Sequence, residues 1–79
     1  MDRYFIYGRT TCPHCMESVR VLRDLSLEFK FFDIGEDFLA EAKSFYKQET
    51  VPIILQNNKE SGMMTLIGGC SDLKEFLNV

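Results

Sequence analysis

The pattern of apolar and polar positions along the chain predicts seven short elements. Apolar, aromatic and β-branched runs bounded by turn formers indicate strands, whereas apolar positions three and four residues apart indicate helices. Four segments fit the strand pattern: residues 3–7, 28–34, 53–55 and 63–67. Three segments fit the helical pattern: 13 to about 25, 36 to about 47, and a short last helix that Ser71 or Asp72 caps.

The order of these elements, β-α-β-α-β-β-α, predicts an α/β fold. A helix between the first two strands allows them to run parallel, and the turn-rich segment 57–62 closes an antiparallel hairpin between the last two. We therefore expect one four-stranded mixed sheet with helices on both faces. The length of 79 residues predicts a single domain over residues 1–79.

Each predicted helix carries an apolar face that we expect in the core. On the first helix these positions are Cys15, Val19, Val21, Leu22 and Leu25. On the second they are Phe38, Leu39, Ala42, Phe45 and Tyr46, and on the last they are Leu73, Phe76 and Leu77. Apolar stripes at this spacing are typical of helices that pack against a sheet or another helix.

Composition and charge narrow the class of protein. Apolar residues make up 46% of the chain, and the formal net charge is −3 with acidic and basic residues interspersed. The absence of a basic run argues against nucleic acid as a partner, and no segment is long enough to span a membrane. Three cysteines are a poor match to a secreted disulfide framework. We expect a small soluble monomer located in the cytoplasm.

Two cysteines stand at the predicted junction between the first strand and the first helix. Pro13 suits the first position of a helix, which places Cys12 at the N-cap. The unpaired N–H groups and the positive dipole end at this position favour a thiolate. Cys15 lies one turn further in and is expected to be more buried. An exposed, activated sulfur next to a sheltered one is the arrangement that thiol–disulfide exchange requires.

Three separated segments together resemble one known family. They are Cys12-Pro13-His14-Cys15, Thr50-Val51-Pro52 and Gly68-Gly69-Cys70-Ser71-Asp72. In this element order and at this length, the chain is similar to the glutaredoxins of the thioredoxin fold, in particular the small dithiol type of bacteria and phages. The resemblance implies a thioredoxin-like fold and a glutathione-dependent thiol–disulfide oxidoreductase. It also implies no bound cofactor, glutathione as co-substrate, and protein disulfides such as that of ribonucleotide reductase as partners.

The resemblance assigns roles to the first two segments. Cys12 matches the nucleophilic cysteine of the family and Cys15 the resolving one. Pro52 matches the family's cis-proline, which would lie beside the cysteines and hold the backbone of Val51 exposed. Val51 would then pair with the cysteinyl backbone of glutathione as an added strand does. Thr50, the residue before it, belongs to the same predicted glutathione-binding segment.

The remaining predicted contacts to glutathione are also implied by the resemblance. Ser71 and Asp72 match the site for the γ-glutamyl end, where helix N–H groups suit its carboxylate and the Asp72 carboxylate suits its ammonium group. Arg9 matches a basic position that would bind the glycine carboxylate. Gln48 falls near another position used for that carboxylate. Each of these residues also has an ordinary structural interpretation, such as a helix cap for Asp72 or a surface charge for Arg9.

Two cysteine-site features depart from the family pattern or lie outside it. His14 stands where the family usually has tyrosine, and the resulting Pro-His dipeptide resembles that of the DsbA thiol oxidases. A protonated His14 would stabilise the Cys12 thiolate and make the disulfide more oxidising, whereas an exposed His14 at the rim would do neither. Cys70 is expected to be a small buried thiol, with a regulatory third thiol as the alternative.

Three other functions stay open on the sequence alone. A similar protein recharged by thioredoxin reductase would need no glutathione site. An iron–sulfur or metal carrier would use the same cysteines, although Pro13 and the small number of ligands argue against it. A non-catalytic interaction module would keep the fold and dispense with the reactivity of Cys12.

Overall fold

The computed structural model describes residues 2–47 and 50–79, without the side chains of Glu36, Asp37 and Leu39. The prediction for Gln48 therefore lies outside the described residues. The strands are β1 (Asp2–Gly8), β2 (Glu28–Asp33), β3 (Ile53–Asn58) and β4 (Met64–Gly68). The helices are α1 (Pro13–Asp24), α2 (Glu36–Tyr46) and α3 (Cys70–Leu77). None of these helices has the length and apolar character that a membrane crossing requires.

The described strands form one mixed sheet in the order β2-β1-β3-β4. β1 and β2 are parallel, whereas β1 with β3 and β3 with β4 are antiparallel. This arrangement confirms the predicted fold class. Because β4 reverses the direction of β3, it runs the same way as β1. The end of β1, the beginning of β3 and the end of β4 therefore meet at one edge of the sheet.

The main core lies between the sheet and the pair α1 and α3. Alternate residues of β1, Tyr4 and Ile6, point to this side and are buried. They pack with four other buried side chains: Val21, Leu22, Ile54 and Leu73. The periodic apolar positions on two helices and two strands therefore combine in one cluster, as the sequence pattern predicts.

The opposite face of the sheet is covered by α2 and is rich in aromatic rings. Tyr7 stacks on Phe32 with ring centroids 5.1 Å apart and on Tyr46 at 6.1 Å. The prediction that the whole apolar stripe of α2 is core is wrong, because Phe38 is 64% exposed and Phe45 is 78% exposed. Periodicity identified the apolar side of the helix correctly. A single helix on a sheet nonetheless buries only the flank that touches it, here the half-buried Ala42 and Tyr46.

The ends of two elements also differ from the predictions. α1 ends at Asp24, and the chain turns at Ser26 with a φ of 58°, so Leu25 is exposed and does not widen the core face as expected. β3 continues through Asn58, inside the predicted loop 57–62. The Asn58 side-chain oxygen then accepts hydrogen bonds from the N–H groups of Glu60 and Ser61 (2.9 and 3.2 Å) and forms the turn.

Truncating one apolar side chain on each face of the sheet should change the free energy of unfolding by very different amounts. Leu22→Ala should lower the free energy of unfolding by about 3 kcal/mol, since it leaves a cavity in the closed core. Phe45→Ala should change it by less than about 0.5 kcal/mol, because its ring is largely in solvent. Urea denaturation of both variants measures the difference. Equal losses would mean that the Phe45 ring is covered in solution.

Candidate functional site

The turn from β1 into α1 presents the Cys12 sulfur at the start of the helix. Cys12 is the N-cap residue with an extended backbone (φ −90°, ψ 118°), and Pro13 follows as the first helical residue. The Met16 N–H donates the first helical hydrogen bond to the Cys12 carbonyl at 3.1 Å. The Cys12 N–H donates to the Arg9 carbonyl at 3.1 Å and closes the turn. The predicted position of the two residues at the helix start is confirmed.

Cys15 is enclosed where α1 meets the end of β1. The residue is fully buried, whereas Cys12 is only partly buried. A side chain at Gly8 would overlap the Cys15 sulfur, so the strand can approach the helix this closely only with glycine at this position. Gly8 therefore sets the distance between β1 and α1 as well as ending the strand.

The two thiols differ strongly in acidity. Burial works to raise the pKa of Cys12, but hydrogen bonds from the Cys15 thiol and from the N–H groups of Cys15 and His14 outweigh it and hold this pKa below its usual value. Burial raises the pKa of Cys15 to about 12, with a further contribution from the charge of Cys12. At neutral pH the pair therefore combines an activated sulfur with a protonated one.

A groove of about 670 Å³ runs beside the cysteines. Its walls come from the first turns of α1, the segment before β3 and the start of α3, and its lining includes Pro13, His14, Thr50, Val51, Pro52, Ser71 and Asp72. The sheet topology brings these three sequence segments together at one edge. The groove thus unites these seven residues, all of which belong to the site predicted from the sequence.

The segment before β3 turns its backbone toward Cys12. The Val51–Pro52 peptide bond is cis and Pro52 is buried. The Cys12 thiol donates a long hydrogen bond to the Val51 carbonyl, with 4.0 Å between Sγ and O. Neither the N–H nor the C=O of Val51 pairs with the backbone of another described residue. These groups are therefore open to an extended ligand that adds alongside them.

The start of α3 differs in detail from the prediction. The N-cap is Gly69 and not Ser71 or Asp72, so the helix begins at Cys70, two or three residues earlier than those caps would place it. Asp72 occupies the third helical position, where its Oδ2 accepts a hydrogen bond from the Gly69 N–H at 3.0 Å. Gly68 has a φ of 121°, and a Cβ there would lie 2.5 Å from this oxygen. The glycines thus let the carboxylate fold back over the helix start.

Arg9 does not line the groove. Its Nε lies 3.3 Å from Asp33 Oδ1, and this ion pair joins the turn after β1 to the end of β2. The guanidinium group is therefore engaged by the protein's own carboxylate in this structure. The sequence could not reveal this ion pair, because Arg9 and Asp33 are far apart in the chain. They become neighbours only through the parallel register of β1 and β2, in which Gly8 lies opposite Asp33.

An ion pair across the helices was missed by the sequence analysis. Lys74 Nζ of α3 lies 3.1 Å from Glu17 Oε2 of α1, and both residues line the groove. Hydrogen bonds from Arg20 and from Lys74 lower the pKa of Glu17 to about 2. Neither position stands out in the sequence, since only the packing of α1 against α3 brings the two side chains together.

His14 lies exposed at the rim of the groove, and Cys70 is buried in its wall. The buried Ser18 hydroxyl donates to the His14 carbonyl at 2.9 Å, which fixes the backbone but leaves the imidazole free to project outward. Tyr7 and Tyr46 do not line this groove. Within residues 2–47 and 50–79, no group of three or more His, Cys, Asp or Glu side chains is placed to bind a metal ion.

A comparison with protein-family models gives a match to glutaredoxin. The glutaredoxin family model matches residues 4–60, which includes both cysteines and the cis-proline segment. A search of curated proteins gives no significant match.

Solved glutaredoxin structures share the fold. The wheat glutaredoxin has a TM-score of 0.76 at 21% identity, over 95% of this chain and 68% of its own. The dithiolic glutaredoxin 2-C-Grx1 of Trypanosoma brucei brucei has a TM-score of 0.70 at 27% identity, over 95% and 76%. Glutaredoxin 1 of Francisella tularensis, solved with cacodylate, has a TM-score of 0.68 at 23% identity and covers both chains completely.

The difference in acidity predicts selective alkylation. Iodoacetamide should modify Cys12 at pH values below the ordinary thiol pKa and leave Cys15 unmodified, because only the Cys12 thiolate is populated there. Cys15→Ala should move the midpoint of the pH–rate profile upward, since it removes a hydrogen bond to the Cys12 sulfur. Cys70→Ala is the control, because Cys70 contributes nothing to the lowered pKa of Cys12. An unchanged midpoint in Cys15→Ala would contradict the assignment.

Proposed function

Because the chain belongs to the glutaredoxin family, whose members are thiol–disulfide oxidoreductases, we propose that it reduces protein disulfides and glutathione mixed disulfides with glutathione as the reductant. The observation that supports this most directly is the unequal thiol pair beside an open groove. Cys12 is the accessible sulfur with the lowered pKa, and Cys15 is buried directly behind it. The proposal includes no bound cofactor.

The first step uses Cys12 as the nucleophile. Its thiolate attacks one sulfur of the substrate disulfide, so a new S–S bond forms to Cys12 and the original S–S bond breaks. The departing thiolate takes a proton from solvent. When the substrate is a glutathione mixed disulfide, the glutathionyl group stays on Cys12. A second glutathione then attacks it, which releases glutathione disulfide and restores the Cys12 thiolate.

The second route uses Cys15 to release a protein substrate. Its pKa is raised in part by the charge of Cys12, and this charge disappears once Cys12 is bound in a mixed disulfide. Cys15 then loses its proton more easily and attacks the Cys12 sulfur, which expels the reduced substrate. Two glutathione molecules reduce the resulting Cys12–Cys15 disulfide and leave as glutathione disulfide.

The groove offers matching groups for glutathione. The backbone of Val51, which pairs with no other described backbone group and lies next to Thr50 and Pro52, suits the cysteinyl residue. The N–H groups near Ser71 suit the γ-glutamyl carboxylate, and Asp72 suits its ammonium group. Arg9 would bind the glycine carboxylate only after release from Asp33. Protein disulfides are proposed as a class, since nothing in the groove selects ribonucleotide reductase among them.

A second candidate is an electron donor recharged by thioredoxin reductase. The Arg9–Asp33 ion pair favours this candidate, because it engages the guanidinium group that would otherwise bind the glycine carboxylate of glutathione. The Cys12 and Cys15 chemistry is the same in both candidates. They differ only in which reductant opens the Cys12–Cys15 disulfide.

A coupled assay separates the two candidates. We expect NADPH-dependent reduction of a small glutathione mixed disulfide in the presence of glutathione and glutathione reductase. Cys12→Ser should abolish this turnover, whereas Cys15→Ser should retain most of it, because deglutathionylation needs only the first cysteine. Turnover that requires thioredoxin reductase and no glutathione would overturn the proposal in favour of the second candidate.

A further inference from the structure

A second cleft lies on the open edge of the sheet, between β4 and α3. Its volume is about 300 Å³, and its lining consists of Thr65, Leu66, Ile67, Asp72, Glu75 and Phe76. Two of the apolar side chains are well exposed, Leu66 at 40% and Phe76 at 49%. Apart from Asp72, none of these residues has a role assigned at the cysteines or in the glutathione groove.

The cleft continues the groove beside the cysteines. Asp72 lines both of them, so the two meet at this residue. Phe76 follows four residues later on α3, a distance of about 6 Å at the helical rise. An extended chain advances about 3.3 Å per residue. Two residues are therefore enough to reach from Asp72 to the ring of Phe76.

The charge of the cleft has one sign. Among the described residues, its charged lining consists of the carboxylates of Asp72 and Glu75, and neither of them forms an ion pair with another described residue. The Lys74 side chain, which lies between them in sequence, is directed to Glu17 on the other flank of α3. The cleft thus combines exposed apolar surface with unneutralised negative charge.

The outer edge of β4 adds hydrogen-bonding groups. β4 is the last strand in the sheet order, and no described strand pairs with its free side. An extended polypeptide in the cleft can therefore bond to the backbone of the segment 65–67 irrespective of its own sequence. The acidic and apolar side chains would then decide which sequences bind best.

We propose that this cleft binds the segment of a protein substrate that precedes the attacked cysteine, and that it favours basic residues flanking an apolar one. The inference rests on the proposed function. In glutathione the γ-glutamyl group precedes the cysteine and is assigned to Ser71 and Asp72. A polypeptide bound in the same direction passes Asp72 with its preceding residues and enters the cleft, which glutathione is too short to reach.

The preference is therefore confined to the route that uses both cysteines. A protein disulfide occupies the groove with its own chain, forms the mixed disulfide with Cys12, and is expelled by Cys15. In deglutathionylation the groove holds glutathione, and the cleft stays empty. Selection by charge belongs to the first reaction and not to the second.

Two synthetic peptides test the inference. Each is closed by one internal disulfide, and they differ only in the three residues before the first cysteine, Lys-Leu-Lys or Glu-Leu-Glu. With glutathione, glutathione reductase and NADPH, kcat/KM should be about fivefold higher for the basic peptide, the size expected from exposed ion pairs. Equal values for the two peptides would overturn the inference.

A charge reversal in the cleft, with a matched control elsewhere, tests whether the peptide preference arises in the cleft. Glu75→Lys should lower the ratio of basic to acidic peptide toward one or below it. Glu41→Lys makes the same change in net charge at an exposed position of α2, on the other face of the sheet, and the ratio should stay at the wild-type value. If the ratio shifts equally in both variants, the preference comes from the net charge of the protein. That outcome would contradict the proposed role of the cleft.

Failure of the proposed function has a different signature. The small glutathione mixed disulfide is measured with the wild-type protein in the same assay. If it is not turned over, glutathione-dependent catalysis itself is wrong. If it is turned over and the peptides show no charge preference, only the cleft assignment is wrong.

Discussion

The close contact between Gly8 and Cys15 is the constraint on which the site depends. A side chain at this position would occupy the place of the Cys15 sulfur, so α1 could not sit against the end of β1. The contact buries Cys15 and raises the pKa of its thiol to about 12. The same geometry leaves Cys12 at the helix start, where N–H groups and the Cys15 thiol lower its pKa. The chemical difference between two identical side chains thus follows from how closely one strand and one helix pack.

The sheet topology explains why three distant segments form one groove. β1 ends, β3 begins and β4 ends at the same edge, so whatever follows or precedes these strands is brought together there. The cysteines, the segment 50–52 and the start of α3 occupy these three places. The helices α1 and α3 pack side by side on one face, and their ion pair between Glu17 and Lys74 joins the walls of the groove. The rigid core under this face supports the site.

The other face of the sheet is built differently. One helix, α2, covers it, and the aromatic rings of Tyr7, Phe32 and Tyr46 stack beneath and beside that helix. Phe38 and Phe45 project away from the sheet, so this side buries less apolar surface than the periodicity of α2 suggests. The groove does not depend on the exposed rings, because none of the α2 side chains that the structure describes lines it. Stability and site geometry therefore come mainly from the face that holds α1 and α3.

The sequence by itself determined the element order, the mixed sheet and the position of Cys12 and Cys15 at a helix start. These features follow from local patterns, namely periodicity, the proline at the first helical position and the turn formers between strands. Tertiary structure alone decided which apolar stripe is buried, because periodicity describes one helix and not the width of the surface it meets. It also decided the helix cap at Gly69, the Arg9–Asp33 pair and the partnership of Glu17 with Lys74. These depend on residues far apart in the chain, whose proximity arises only when the strands pair and the helices pack.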